Sequence, residues 1–533
     1  MDKFIEIHSN CVLVREATKK GYAVGIHGDS LNLEQPNSKT RRGRIGHQIA
    51  QTLTTSCNQA VILNEKENCM KKKNYLDIYE NYEFNLSKLK EELGIEKLKI
   101  FDSFCGIGAL HQAFKELGFP IELIGISEID IDAIISYAIG HVKGYLESEN
   151  TFNYPSEPEM REYLMSINVG WDFKKEKSSI PRLKKDKLYK CYRACIMMNN
   201  LGDISTLDPN EIEDFDVFNF SFPCTNISVA GNQEGFEDEN GKITSSGLYV
   251  YGMNIIKAKK PKFIMIENVK NLIQKKFIND FYDIVKEIED LGYKCYYPMN
   301  KDKPTCLNAK DYGIPQNRER IFVICIRNDM HINFEFPEGF NNGLRLKDML
   351  EDEVDEKYYL SQEIQNRFKR NDVDDKENNN INTLGTTAPE FRTIGQRDIV
   401  YGTNGIMSTL VAIDYKQPKQ ILVSNNKIIQ VGEIDIKGID QIKRVYDSNG
   451  ISPTLSTMQG GNREPKIVNE EYRVRKLTPK ECWRLMGFRD EFIDKCIDYG
   501  ISNSALYKQA GNSIVVTVLY FIFRELFKDY IVK

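Results

Sequence analysis

The hydrophobic pattern of this chain changes texture near residue 96. Lys97–Phe101 is a short apolar run that leads into FDSFCGIGALHQAFKELG (101–118) and then ELIGISEIDIDAI (122–134). That order reads as strand, glycine turn, amphipathic helix and strand, a βαβ unit opening an α/β sheet. Asp216–Phe222, Phe263–Glu267 and Arg320–Ile326 are further short apolar runs, each suited to a buried parallel strand. Helix-like segments lie between them, among them Asn279–Leu291.

Two regions interrupt this rhythm. Residues 143–200 are polar and lysine-rich and read as an insertion on the rim of the sheet. Residues from about 335 to 470 are rich in Asn, Gly and Asp with short β-like runs, and read as a second domain. Within it, 351–380 is charged and predicts exposed helix and loop. Helical periodicity returns over 475–488 and 505–527. A weak internal repeat joins Gly46–Val61, Gly405–Ile413 and Gly450–Ile467, with 382–400 as a fainter copy. Each of the first three places Thr-Leu shortly after a glycine. The pattern fits either a recurrent β-hairpin or a set of loops offering polar side chains to a nucleic-acid groove.

Length and composition bound the answer. The 533 residues suffice for two to four domains. No apolar run is long enough to span a membrane, and the first residues lack a signal-peptide pattern, so a cytoplasmic location is expected, in a bacterial or phage-infected cell. Twelve cysteines without C-x-x-C pairs and six scattered histidines argue against a structural metal site, and reduced thiols are expected. The net charge of −5 does not advertise a nucleic-acid partner, but binding depends on the local field. Thr40–Arg44 and Leu183–Lys190 could supply a basic face, although such runs are commonly just solvated surface.

Chemistry concentrates at the predicted strand ends, where open α/β sheets bind ligands. Phe104, Gly106 and Gly108 form a glycine turn into a helix, which lets backbone approach a ligand. Glu128 ends the next strand, where an acid can bind ribose hydroxyls, and Asp203 could meet an adenine amine. Cys224 follows Pro223 at the end of an apolar strand, which suits a thiolate nucleophile better than a core thiol. Glu267 ends another buried strand and, with a raised pKa, could donate a proton. Arg318 and Arg320 share one face if QNRER is extended, offering two guanidinium forks.

The ordered set FCGIG, SEID, GD, FPC, ENV, QNRER, RKLTPKECWRLMGF and QAGNSI resembles the DNA (cytosine-5) methyltransferase family, in particular its phage-type and restriction-modification-associated members. The resemblance covers roughly 96–334 and 472–530. It implies an α/β fold: a Rossmann-like, S-adenosylmethionine-dependent methyltransferase sheet with a smaller, β-rich target-recognition domain. The domains would then be an N-terminal extension (1–95) with a target-recognition-like repeat, a catalytic domain (96–334, insertion 143–200), a target-recognition domain (335–471) and a C-terminal segment (472–533) completing the catalytic domain.

The resemblance also implies roles. Cys224 would add to C6 of a flipped cytosine and make C5 nucleophilic, with Glu267 as the N3 partner and Arg318 and Arg320 steadying base and loop. S-adenosyl-L-methionine would lie over Phe104, Gly106 and Gly108, with Glu128 on its ribose and Asp203 on its adenine. Asp102 is a further cofactor contact, and Asn512 and Ser513 would close the methionine end. No metal is implied. The polar, glycine-bearing loop 225–244 would act as a lid. The expected partner is double-stranded DNA, bound by a monomer with no membrane association; a cognate restriction endonuclease would act as a separate protein.

Three departures stand out: Thr225 replaces the usual glutamine after the cysteine, Ala109 a common glycine and Ile129 a common aromatic. Alternatives are an RNA cytosine methyltransferase of the same fold, which the long variable region disfavours, and a catalytically dead relative, which intact Cys224, Glu267, Arg318 and Arg320 disfavour. An adenine methyltransferase would need an Asn/Asp-Pro-Pro-aromatic segment, and the chain has none.

Overall fold

Leu98–Ser103 (β1), Ile121–Ser127 (β2), Val217–Phe220 (β3) and Phe263–Val269 (β4) form the parallel heart of a sheet ordered β2-β1-β3-β4. The sheet continues with Glu319–Arg327 (β6) and Tyr293–Tyr296 (β5), and Leu307–Asn308 pairs with the start of β6. This is a computed structural model. It describes residues 73–223 except 174, then 226, 227, 235, 236, 244, 246–359, 379–389, 393–416, 418–423 and 473–532, with the backbone of short strands elsewhere.

The chain divides into two units, Met1–Lys73 and Asn74–Lys533. In the first, Ile5–Ile7, Val12–Arg15 and Tyr22–Gly25 form an antiparallel meander, and Ser30–Asn32 pairs with both Ile45–Gly46 and Gln59–Val61. Thr40–Arg44 lies outside the described residues, as does most of the repeat at 46–61 and 450–467. Residues 74–95, assigned from the sequence to the N-terminal extension, are part of the second unit. The Tyr75 hydroxyl donates to the Phe488 carbonyl (2.7 Å) and that of Tyr79 to Gly487 (2.6 Å).

The pleat divides the strands between two apolar layers. Ile100, Ile126, Val217, Phe263, Met265, Phe322 and Ile324 face one core, which holds Ala109–Leu117 (α1), Ile131–His141 (α2) and Val516–Leu526. Phe101, Ile124, Phe218, Phe220, Ile264, Ile266 and Val323 face the other, with Tyr249–Lys259 and Ile278–Asp290. Burial on both sides explains why the strands read as unbroken apolar runs. It also explains one correction: Arg320–Ile326 was expected to be parallel and is antiparallel to β4, since two covered faces give the same pattern in either direction.

Residues 143–200 are more than a rim insertion. Lys185–Met197 (α3) packs on α2 through buried Leu188, Cys191, Ala194 and Cys195, and Asn200 bridges in parallel to Ile126. Three of the four lysines in the run 183–190 are paired with acids: Lys185 with Glu157 (3.2 Å), Lys187 with Asp132 (2.6 Å) and Lys190 with Asp186 (3.0 Å). Cys295 and Cys325 sit directly opposite on β5 and β6, Cα atoms 4.1 Å apart, and are bonded, where reduced thiols had been expected.

A smaller β-rich domain carries a five-stranded sheet of Lys369–Arg370, Thr383–Thr386, Ile399–Tyr401, Gln420–Val423 and Arg473–Lys476. Residues 360–368 and 371–378 lie outside the described residues apart from the first of these strands. Two repeat copies do not share a structure. In one, Thr383–Thr386 and Ile399–Tyr401 form an antiparallel pair; in the other, Met407–Ser408 pairs in parallel with Gln316–Asn317, just before β6. Buried Ile406, Met407 and Leu410 show this second copy to be packing rather than a presented loop.

The chain re-enters the main sheet's body through a bidentate pair. Arg475 donates to both oxygens of Glu481 (2.8 and 2.7 Å), and both side chains are almost fully buried. Glu481 also accepts the N–H of Thr478 (2.8 Å) and of Glu351 (2.9 Å), so helix Pro479–Arg484 starts on a capping box tied to a distant segment. Glu481→Ala leaves a buried guanidinium uncompensated, and chemical denaturation should show a loss of about 3–5 kcal/mol.

Candidate active site

β1 ends in three left-handed residues within five positions: Phe104 (φ 54°), Gly106 (φ 54°) and Gly108 (φ 80°). They reverse the strand into α1, and the Phe104 N–H staples the turn to the Ser127 carbonyl (2.8 Å). The two glycines answer different needs. A Cβ on Gly108 would come within 2.7 Å of the His141 and Tyr137 rings, whereas one on Gly106 would meet nothing within 4 Å. Gly106 therefore leaves an open approach to backbone, as a bound ligand requires.

Glu128 faces this turn. Its carboxylate accepts the N–H of Gly106 (2.9 Å), Ile129 (2.8 Å) and Asp130 (2.8 Å). Burial, helped by Asp130, pushes its pKa up against the pull of those amides. Asn200 fixes the position: its side chain accepts the N–H of Glu128 (3.2 Å) and Gly202 (3.0 Å) and donates to the Glu128 carbonyl (3.0 Å). Ser127 donates to the Gly202 carbonyl (2.7 Å), which brings Asp203 alongside. Asp203 caps the turn at Ser205 (3.0 Å) and accepts from Asn168 (3.2 Å).

Asp102 is buried at the end of β1. One oxygen accepts from the Asn219 amide (2.5 Å), and the other has no protein partner. Burial, with the nearby Glu128 charge, raises its pKa to about 7 against the Asn219 bond. A buried carboxylate oxygen left open at a strand end is a place for a polar ligand group. The six expected cofactor residues Asp102, Phe104, Gly106, Gly108, Glu128 and Asp203 thus meet at the ends of β1 and β2. The sheet order reverses here, since β2 and β3 flank β1 on opposite sides.

The ends of β3 and β4 form the second half. The regular ladder runs to Asn219 opposite Met265. Beyond it, side chains take over: the Ser221 hydroxyl accepts the Glu267 N–H (3.2 Å), and the Asn268 amide donates to the Phe222 carbonyl (3.2 Å). The chain is described to Pro223; Cys224 and Thr225 lie outside the described residues, as does most of the loop expected to form a lid.

Glu267 and Arg320 share the β4–β6 face as a diagonal pair, with Nε to Oε1 2.9 Å and both side chains mostly buried. Burial raises the Glu267 pKa, opposed first by Arg320 and then by Arg318. The two arginines do not act alike. Between them the pairing changes, from Gln316–Asn317 with Met407–Ser408 to β6 from Glu319 onward. Arg318 turns its fork onto the carbonyls of Leu410 (2.7 Å), Ser513 (2.7 Å) and Gly511 (3.1 Å). It is a positioning residue joining three distant segments. Gly511 is required where α-helix Asn503–Asn512 meets the backbone of Val411, 2.3 Å from where a Cβ would sit. Ser513 contributes its carbonyl to this junction, and Asn512 is exposed at the helix end.

Sequence reasoning missed Asn200, Asn219, Ser221 and Asn268 as structural partners of the site. Asn219 and Ser221 lay inside the apolar run Asp216–Phe222, and Asn268 inside the ENV segment.

A family model described as C-5 cytosine-specific DNA methylase matches residues 159–528. The Type II methyltransferase M2.ScrFI of Lactococcus lactis subsp. cremoris is 36% identical over 432 residues, covering 81% of this chain and 99% of the relative. The orphan methyltransferase M.Rho11sI of Bacillus phage rho11s is 28% identical, covering 82% and 99%. The Type II methyltransferase M.HhaI of Haemophilus parahaemolyticus is 31% identical, covering 60% and 78%. Among solved structures, the S. pombe Dnmt2 methyltransferase matches with a TM-score of 0.43 and 15% identity, over 81% of this chain and 99% of its own. The match over more than half the chain, beside a relative of this identity and coverage, makes the protein a member of the C-5 cytosine-specific DNA methylase family and a DNA (cytosine-5-)-methyltransferase.

Proposed function

We propose that this methyltransferase acts on a cytosine flipped out of a specific duplex sequence, through a covalent bond between Cys224 and C6. The observation that carries the reading is the clamp at Ser221 and Asn268, which sets the strand end leading to Cys224 beside the buried Glu267–Arg320 pair. Extruding the base costs roughly a few kcal/mol, repaid by contacts in the pocket.

The residues divide the work. The Cys224 thiolate forms the S–C6 bond, and Glu267 gives its proton to N3 as electron density moves into the ring, leaving C5 nucleophilic. Once C5 carries the methyl, water takes the C5 proton, cleavage of the S–C6 bond restores C5=C6 and releases the thiolate, and N3 returns its proton to Glu267. Arg320 orients the Glu267 carboxyl, and Arg318 holds the segments around it. S-adenosyl-L-methionine, held by Asp102, Phe104, Gly106, Gly108, Glu128 and Asp203 with Asn512 and Ser513 toward its methionine end, supplies an activated sulfonium methyl. The open face of Gly106 and the unpartnered Asp102 oxygen support that fit. The smaller β-rich domain is assigned to target recognition. Restriction-modification or protection of phage DNA is the proposed role, supported by Type II and phage orphan relatives.

Methyl transfer from labelled S-adenosyl-L-methionine to duplex DNA, followed by nucleoside analysis, should yield 5-methylcytosine; transfer to tRNA alone would contradict the reading. Cys224→Ala should reduce transfer to background. Glu267→Gln should lower kcat by about 10²–10⁴-fold. The sign of the pH effect follows from the raised pKa: Glu267 holds its proton below that value, so activity falls as pH rises through it. The glutamine variant should lack this alkaline limb.

A further inference from the structure

A line of hydrogen bonds crosses three neighbouring strand ends between the two halves of the site. The Asn219 amide on β3 donates to Asp102 on β1 (2.5 Å). Its carbonyl oxygen accepts the Ser221 hydroxyl (2.9 Å), and the Ser221 oxygen accepts the Glu267 N–H on β4 (3.2 Å). Asp102 and Asn219 are almost fully buried.

Donor counting fixes the direction of the line. The carboxylate accepts, so the NH₂ end of Asn219 must face Asp102 and its oxygen must face Ser221. The one Ser221 proton is spent on Asn219, leaving a lone pair for Glu267. That N–H lies past the last β3–β4 ladder pair, so the hydroxyl replaces a backbone acceptor that β3 no longer supplies. At the other end, the second Asp102 oxygen has no protein partner. The line therefore starts at a buried, unpartnered carboxylate oxygen beside the glycine turn and ends on the backbone of the acid that faces the base. Buried polar chains of this kind are costly to leave half made, so disturbance at one end is felt at the other.

We propose that Asn219 and Ser221 are positioning residues that couple occupation of the cofactor crevice to the placement of Glu267, so that cofactor and target cytosine bind cooperatively. The proposal rests on the assignment of both pockets above. Linkage makes the coupling reciprocal: each ligand tightens the other by the same factor.

The test uses the full chain, S-adenosyl-L-homocysteine as probe, and a duplex that the wild-type protein methylates. Calorimetry gives the probe Kd with and without the duplex. The wild type should show a tightening of about tenfold. Ser221→Ala should cut it to less than about twofold while the probe alone binds within about threefold of wild type. Ser221→Thr, which keeps the hydroxyl, should restore it. Full coupling in Ser221→Ala, none in the wild type, or no recovery in a folded Ser221→Thr would each overturn the proposal. Methylation of the duplex is read separately and tests the enzymatic assignment, so the two can fail independently.

Discussion

The buried pair of Glu267 and Arg320 constrains the arrangement around it. A carboxyl at the end of a covered strand is driven toward its neutral form, and the guanidinium 2.9 Å away pulls it back. The outcome is an acid with a raised pKa held in one orientation, which proton transfer to a ring nitrogen requires. The pair exists only because β6 runs antiparallel to β4 in a register that sets Val269 opposite Arg320 and Glu267 opposite Phe322. A slip of one residue would send Arg320 to the opposite face, into the apolar layer of Ile266 and Val323.

Arg318 extends this control beyond the sheet. Its three carbonyl partners come from two segments far apart in sequence, Leu410 in one and Gly511 and Ser513 in the other. A buried cation among carbonyl oxygens is satisfied only when both segments are in place, so the variable region and the C-terminal helices are tied to the strand that carries Arg320. The Arg475–Glu481 pair makes a similar junction where the chain leaves the smaller domain. A catalytic body interrupted by a long variable region thus closes through two buried arginines.

Much of this was legible in the chain. The apolar runs located β1, β3, β4 and β6, and the glycine turn, Glu128 and Asp203 converge as their spacing suggested. Period alone could not give the direction of β6, because strands covered on both faces lose the alternation that marks orientation. It also could not separate Arg318 from Arg320: two residues apart they share a parity, but a change of pairing partner between them breaks the strand. Asn200, Asn219 and Ser221 act through hydrogen bonds to residues that only the folded sheet brings near. The run 183–190 looked basic in sequence, but Lys185 and Lys187 are paired with acids from other elements and Lys190 with Asp186 on its own helix.

The central claim is that Cys224 bonds covalently to C6 of cytosine, and trapping that bond tests it most directly. Duplex fragments in which every cytosine carries fluorine at C5 remove the departing proton that the last step needs, so the S–C6 bond should persist. Incubation with S-adenosyl-L-methionine, denaturation and peptide mass spectrometry should then find a nucleotide adduct on the peptide containing Cys224. No denaturation-stable complex, or an adduct on another residue, would contradict the account.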